Sequence, residues 1–294
     1  MTKTTPDSLL IYYGWLNSFN SGTNSWTNEK VAQDLAKYDL LVFGDGVQDS
    51  SHGDYANTSV IIPRIMELNP SAKILGYVTV AQTLANFESK VDGWETLEVH
   101  GIFMDEAGYD YGKTREEFND RVDYIHGQTY AKLCFANAWN SNHILGTTND
   151  ASYPNTTYNS GEVASNLSET DYALIESFAI NTDSYTASSG YEGQSQWKAR
   201  ADAWIAKRDT YDISIVGCGI INDNNANGQD LHDFGYTSAL IASLDGYGIS
   251  DTYYGASSAK GKFWTRPDIY NIGNYWSADP TIATDGNKYL RYVS

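Results

Sequence analysis

Apolar residues in this chain come in two alternating kinds of segment. The first kind is a short, nearly continuous run: 9–14, 39–45, 72–79, Ile102-Phe103-Met104 running into Asp105, 132–137, 172–178, 213–219 and 246–253. Runs of that length suit strands buried on both faces. The second kind has helical spacing. Val31, Leu35 and Tyr38 follow a Thr27-Asn28 start, 58–68 and 84–97 repeat the pattern, and Phe118, Val122 and Ile125 follow the capping-box pattern Thr114-x-x-Glu117. Further on, Trp197, Ala201, Trp204 and Ile205 follow a Ser195 cap, and 232–244 closes the series. Pro63 should kink its helix or mark the true start. The segment 138–168 is polar and predicts at most a short helix near 162–167, and a second polar loop runs to Gly193. Beyond Lys260 the tail, with Pro267, Pro280 and Asp285-Gly286, predicts turns and a hairpin.

Strands alternating with amphipathic helices imply βαβ units and a parallel sheet. Eight such units in 294 residues predict a closed (β/α)8 TIM barrel. The expected layout is a flexible N-terminus at 1–8, one barrel domain at 9–258 with long polar loops at its C-terminal face, and an extension at 259–294 packed on the barrel. An open doubly wound sheet is the structural alternative. It would usually bind a nucleotide, and no G-x-G-x-x-G follows the first strand.

In a barrel every parallel strand delivers its last residues to one face, where active sites lie. Reading the strand ends gives Tyr13, Asp45, Tyr77, Asp105, Glu106, Asn137, Trp139 and Glu176. Acids, an amide and aromatics from distant parts of the chain should therefore share one rim. Burying ionised acids is costly unless they are paired or used. The pattern suits glycoside hydrolysis, in which one carboxylate acts as nucleophile or stabiliser and another as acid. Solvated strand-end acids are the ordinary alternative, as is core packing for Tyr77. Composition favours sugar: aromatics reach 14%, and Asn, Ser, Thr and Gly supply much of the polarity.

The run Gly101-Ile102-Phe103-Met104-Asp105-Glu106, preceded by Ile74-Leu75-Gly76-Tyr77, resembles the spherulin-4-like glycoside hydrolases, relatives of the endo-α-1,4-polygalactosaminidases. The resemblance covers roughly residues 9 to 180. It implies a (β/α)8 barrel that cuts galactosamine or N-acetylgalactosamine polymers, endo-acting and without a metal or cofactor. It also implies catalytic roles for Asp105 and Glu176, with Glu106 as the acid itself or a partner that tunes Asp105. Asn137 matches the strand-five amide, while the long spacing from Asn137 to Glu176 requires a loop insertion. Asp45, Tyr13, Tyr77, Tyr109 and Trp139 are the expected substrate contacts.

Charge and remaining motifs narrow the alternatives. Thirty-seven acids against nineteen bases give a net charge of −18 with no basic cluster, which disfavours nucleic acid and suits a cationic polymer. No apolar run has the length of a membrane span. The polar start shows no signal peptide, so an extracellular or virion-borne protein is expected to arrive by another route or after removal of a leader. Cys134 and Cys218 read as small core residues. Asp223-x-Asn225-x-Asn227-Gly228 matches half a calcium loop, but Phe234 stands where a bidentate Glu is required, so an Asn/Gly turn is the simpler reading. The five histidines show no metal-ligand spacing. The competing functional class is a non-catalytic, glycan-holding barrel, for example on a phage tail.

Overall fold

A computed structural model describes residues 5–19, 27–147, 158–184, 196–250, 281–282 and 289–290. Eight parallel strands close into a barrel: β1 (Asp7–Tyr12), β2 (Leu40–Phe43), β3 (Lys73–Thr79), β4 (Gly101–Asp105), β5 (Leu133–Asn137), β6 (Tyr172–Glu176), β7 (Ser214–Ile220) and β8 (Gly246–Ser250). Each strand pairs with the next in sequence, and β8 closes on β1. The outer helices are α1 (Asn28–Leu35), α2 (Tyr55–Leu68), α3 (Leu84–Thr96), α4 (Arg115–His126), α5 (Ser141–Leu145), α6 (Gln196–Tyr211) and α7 (Gly228–Ala242). The chain is a (β/α)8 TIM barrel. In the tail, β9 (Thr281–Ile282) and β10 (Tyr289–Leu290) pair antiparallel. The rest of the expected extension, residues 251–253 and the Ser195 cap lie outside the described residues.

Two cores follow from the two faces of the strands. Leu9, Ile11, Leu40, Val42, Leu75, Phe103, Phe135, Leu174, Val216 and Cys218 point inward and fill the barrel. Their neighbours one step along, such as Leu10, Leu41, Ile74, Ile102 and Ile175, pack outward against the helices. Side chains alternate with period two. The next inward positions after Phe103, Phe135 and Leu174 are therefore Asp105, Asn137 and Glu176. At Gly76 an added Cβ would lie 2.0 Å from the Trp94 ring, so the missing side chain lets α3 rest directly on β3.

Several boundaries differ from expectation. Residues 7 and 8 belong to β1 rather than to a flexible end: the Asp7 amide donates to the Asp245 carbonyl, and both the amide and the hydroxyl of Ser8 donate to Asp39. Helix α2 starts at Tyr55 and continues through Pro63, which has no N–H to offer the Ser59 carbonyl one turn back. Helix α7 begins four residues earlier than expected, at Gly228. No helix forms at 162–167, where Asn159 instead ties the loop by donating to the Val163 carbonyl and accepting from its amide. The Thr114–Glu117 capping box is present as read.

Candidate active site

The inward-facing ends of β4, β5 and β6 meet at the C-terminal mouth of the barrel, on the floor of a cavity of about 500 Å³. Asn137 is the centre of this group. Its Nδ2 donates to Asp105 Oδ1 at 2.8 Å and to Glu176 Oε2 at 3.1 Å. The two N–H bonds of one planar amide diverge by about 120°, which sets those carboxylate oxygens roughly 5 Å apart. Asn137 Oδ1 is buried and finds no donor among the described residues. The orientation of this amide is thus dictated by the two acids it serves.

The Tyr77 hydroxyl lies against Asp105. Burial, and the negative charge of Asp105, Glu106 and Asp45, push the Tyr77 hydroxyl far above the ordinary tyrosine range, so it stays protonated. Tyr77 is itself packed edge-on against Tyr13, with ring centroids 5.2 Å apart, and against Phe103. Glu106 is turned aside. It adopts a left-handed backbone (φ 56°) and takes a short hydrogen bond from the Thr79 hydroxyl. The Ala107 amide donates to the Asn137 carbonyl. Glu106 still lines the cavity, beside Asp105 rather than opposite it.

Not every expected contact arrives. Tyr109 is buried, stacked between His143 (4.5 Å) and Tyr158 (5.4 Å), and so serves packing rather than substrate. The neighbouring Tyr111 is half exposed and lines the cavity; burial and the charges of Glu106, Asp110, Asp105 and Glu176 raise its hydroxyl above the usual value. It follows Tyr109 on a single 3-10 turn, and the sequence offered no local signal to choose between the two. Asp45 belongs to a separate depression of about 400 Å³, where it pairs with Lys90 and accepts from Gln48. Trp139 stands beyond the cavity lining, 41% exposed, with the Arg200 guanidinium over its ring at 4.2 Å. Thr182 and Cys218 also line the cavity and were not anticipated as site residues. Cys218 could have been found by continuing the inward alternation from Val216.

The other motifs resolve simply. Cys134 and Cys218 are both buried and in no disulfide. The segment 222–228 is a series of turns in which Asn222 and Asn225 side chains accept from the amides of Asn224 and Asn227, leading into α7. Among the described residues one group of potential metal donors lies together: His126, Cys134 and Asp171, at the opposite, N-terminal end of the barrel. Asp171 Oδ1 accepts from the Cys134 amide. Its Oδ2 accepts from Ser168 and pairs with His126 Nε2. Burial and Asp171 raise the Cys134 thiol well above its usual value, which keeps it a thiol. These bonds account for the cluster as a structural junction. No helix among the described residues is long and apolar enough to cross a membrane.

The fold is that of a TIM barrel, and the candidate site lies at the C-terminal end of its strands. No protein-family model matches the chain, and no curated protein sequence matches it. Solved structures do match. Amy13B from Eubacterium rectale superposes with a TM-score of 0.50 over 84% of this chain and 66% of its own, at 8% identity. A GH5-4 broad specificity endoglucanase from Clostridium longisporum gives 0.45 over 87% and 88%, at 10% identity. Dihydrodipicolinate synthase from Agrobacterium tumefaciens gives 0.42 over 83% and 69%, at 12% identity. At such identities the likeness is one of fold, and this fold hosts unrelated chemistries.

Proposed function

We propose that the protein is an endo-acting glycoside hydrolase of the spherulin-4-like kind, cleaving an extracellular amino-sugar polysaccharide with Asp105 and Glu176. The observation that carries this reading is the pair itself: two carboxylates from different strands, bridged by one amide, on the floor of an open cavity. A separation of about 5 Å between carboxyl groups belongs to the retaining geometry; inversion needs room for a water between them, at about 6.5–9.5 Å. In this reading Asp105, with the Tyr77 hydroxyl beside it, is the nucleophile and Glu176 is the acid. Asp105 attacks the anomeric carbon while Glu176 gives its proton to the departing glycosidic oxygen, leaving a glycosyl ester on Asp105. Glu176 then takes a proton from water, whose oxygen displaces Asp105 with net retention.

Charge supports the amino-sugar reading. Asp105, Glu106 and Glu176 line the cavity, and among the described residues no Lys, Arg or His does. A cavity lined by one sign of charge concentrates counter-ions, which here favours a protonated amine on the sugar. The surplus of acids over the whole chain works in the same direction.

Incubation with partly de-N-acetylated galactosaminoglycan should release reducing ends whose first-formed anomer, followed by NMR, keeps the configuration of the cleaved bond. Asp105→Asn and Glu176→Gln should each abolish release while retaining the wild-type melting temperature. If the wild-type protein binds the polymer but produces no ends, the glycan-holding barrel is the better description.

A further inference from the structure

Arg200 lies on α6, outside the cavity, yet it reaches the end of β6 and the segment that follows β5. Its Nη1 donates to the Glu176 carbonyl at 2.8 Å, and its Nη2 donates to the Trp139 carbonyl at 3.4 Å. Its guanidinium carbon stands 4.2 Å from the centroid of the Trp139 ring. The two acids differ in how their backbones are held. The Asp105 carbonyl accepts from the Val80 amide, as the next rung of the barrel ladder. The Glu176 carbonyl accepts from Arg200, just before Ser177 turns left-handed (φ 53°). Arg200 thus does for Glu176 what a neighbouring strand does for Asp105. A planar fork that serves two carbonyls and also offers a flat face is specific to arginine.

We propose that Arg200 is a positioning residue that locks Glu176 and Trp139 into one unit, and that the Trp139 it backs is a stacking platform for an uncharged sugar beside the one bound in the acidic cavity. This inference rests on the glycosidase reading above. Through Arg200, which holds the Glu176 carbonyl and covers the indole, Trp139 lies on the Glu176 side of the site, beyond the cavity lining. A cation against one face of an indole draws the ring's electron density towards itself. An ammonium-bearing sugar on the outer face would meet a depleted π system with a like charge behind it. An N-acetylated or neutral sugar offers only its C–H face, which carries no charge to be repelled and loses far less to the depleted ring. The acidic cavity and the arginine-backed indole therefore select opposite things, a charged unit and an uncharged neighbour, which together specify a partly N-acetylated chain.

The test compares fully and partly de-N-acetylated galactosaminoglycan. Wild-type KM should be about fivefold lower on the partly acetylated chain, Trp139→Ala should erase that preference, and Arg200→Met should erase it and also lower kcat about tenfold. Arg200→Lys, which keeps the charge but not the fork, should recover only part of kcat. A readout independent of turnover is the ¹⁹F resonance of 5-fluorotryptophan at position 139, assigned by its loss in Trp139→Phe. It should shift and broaden in Arg200→Met. An active wild type whose preference survives Trp139→Ala overturns the platform. Wild-type kcat and an unmoved ¹⁹F signal in Arg200→Met overturn the clamp, with the glycosidase reading intact. A wild type that cuts no amino-sugar chain, but whose ¹⁹F signal moves in Arg200→Met, overturns that reading and the platform's selectivity and upholds the clamp.

Discussion

Asn137 offers the sharpest test of the site, because one side chain supports both carboxylates. Removing it in Asn137→Ala deletes hydrogen bonds of 2.8 and 3.1 Å to two acids. Bonds to charged groups are worth about 1.5–3 kcal/mol each. If the equivalent of one full bond is lost in the transition state, kcat/KM falls by about 10²-fold at the upper end of that range. Stability should change little, since the buried Oδ1 has no donor among the described residues and its removal offsets part of the loss. Asn137→Asp is harsher. It sets a third carboxylate about 3 Å from two others, and unit charges at that distance repel by about 5–6 kcal/mol per pair at an effective dielectric of about 20. Three charges cannot coexist there, so the cluster takes up a proton. A carboxyl whose folded-state pKa is raised contributes stability at low pH that is lost as pH rises through that value. The variant should therefore be nearly inactive at neutral pH, and its melting temperature should approach that of the wild type as the solution is acidified. Reducing-end kinetics and thermal melts across pH 4–8 measure both. Wild-type turnover with an unchanged pH profile in Asn137→Asp would refute the bridged-pair account.

Two other substitutions probe what supports the site. Arg115 is buried and donates to the carbonyls of Ile144, Asn142 and Gly146, pinning α5; Arg115→Met leaves these acceptors without their donor, at about 1–3 kcal/mol each, and should cost about 3–5 kcal/mol in urea unfolding, with Arg115→Lys recovering only a fraction. His126 is raised above its usual pKa, first by its hydrogen bond to Asp171, so its contribution is complete below the unfolded value of about 6.5 and fades as pH rises through the folded one. The melting-temperature gap between wild type and His126→Gln should accordingly narrow between pH 6 and pH 8, and a constant gap would show that the His126–Asp171 pair carries no charge.

The barrel was legible because its strands are uninterrupted apolar runs, and two-residue alternation past Phe103, Phe135 and Leu174 leads straight to Asp105, Asn137 and Glu176. What failed was whatever depends on a single side chain finding a distant partner. Helix α5 is five residues long, capped by Asn140 and held by Arg115 from α4, so it carries too few apolar positions to show a period. Tyr109 and Tyr111 are chemically equivalent in the sequence. His143 and Tyr158 sandwich the first and leave the second at the cavity. Arg200 sits on a helix whose local pattern says nothing of the carbonyls it reaches.

The way each acid is presented separates chemistry from recognition. Directly after Asp105 comes Glu106 at φ 56°, and directly after Glu176 comes Ser177 at φ 53°. Left-handed backbone in residues other than glycine costs of order 1 kcal/mol or more, and it persists only where the surroundings enforce it. Here the enforcement is the ladder: the Val80, Ala107 and Phe178 amides donate to the carbonyls of Asp105, Asn137 and Cys218. The chain leaves the barrel abruptly, so each acid is the last residue still governed by its strand. Rigid elements hold a catalytic geometry more tightly than loops do. The residues that the proposed function would set against the rest of a polymer, Tyr111, Trp139 and Thr182, all lie past the strand ends on connecting segments. Those segments can change which glycan is held without moving the two carboxylates.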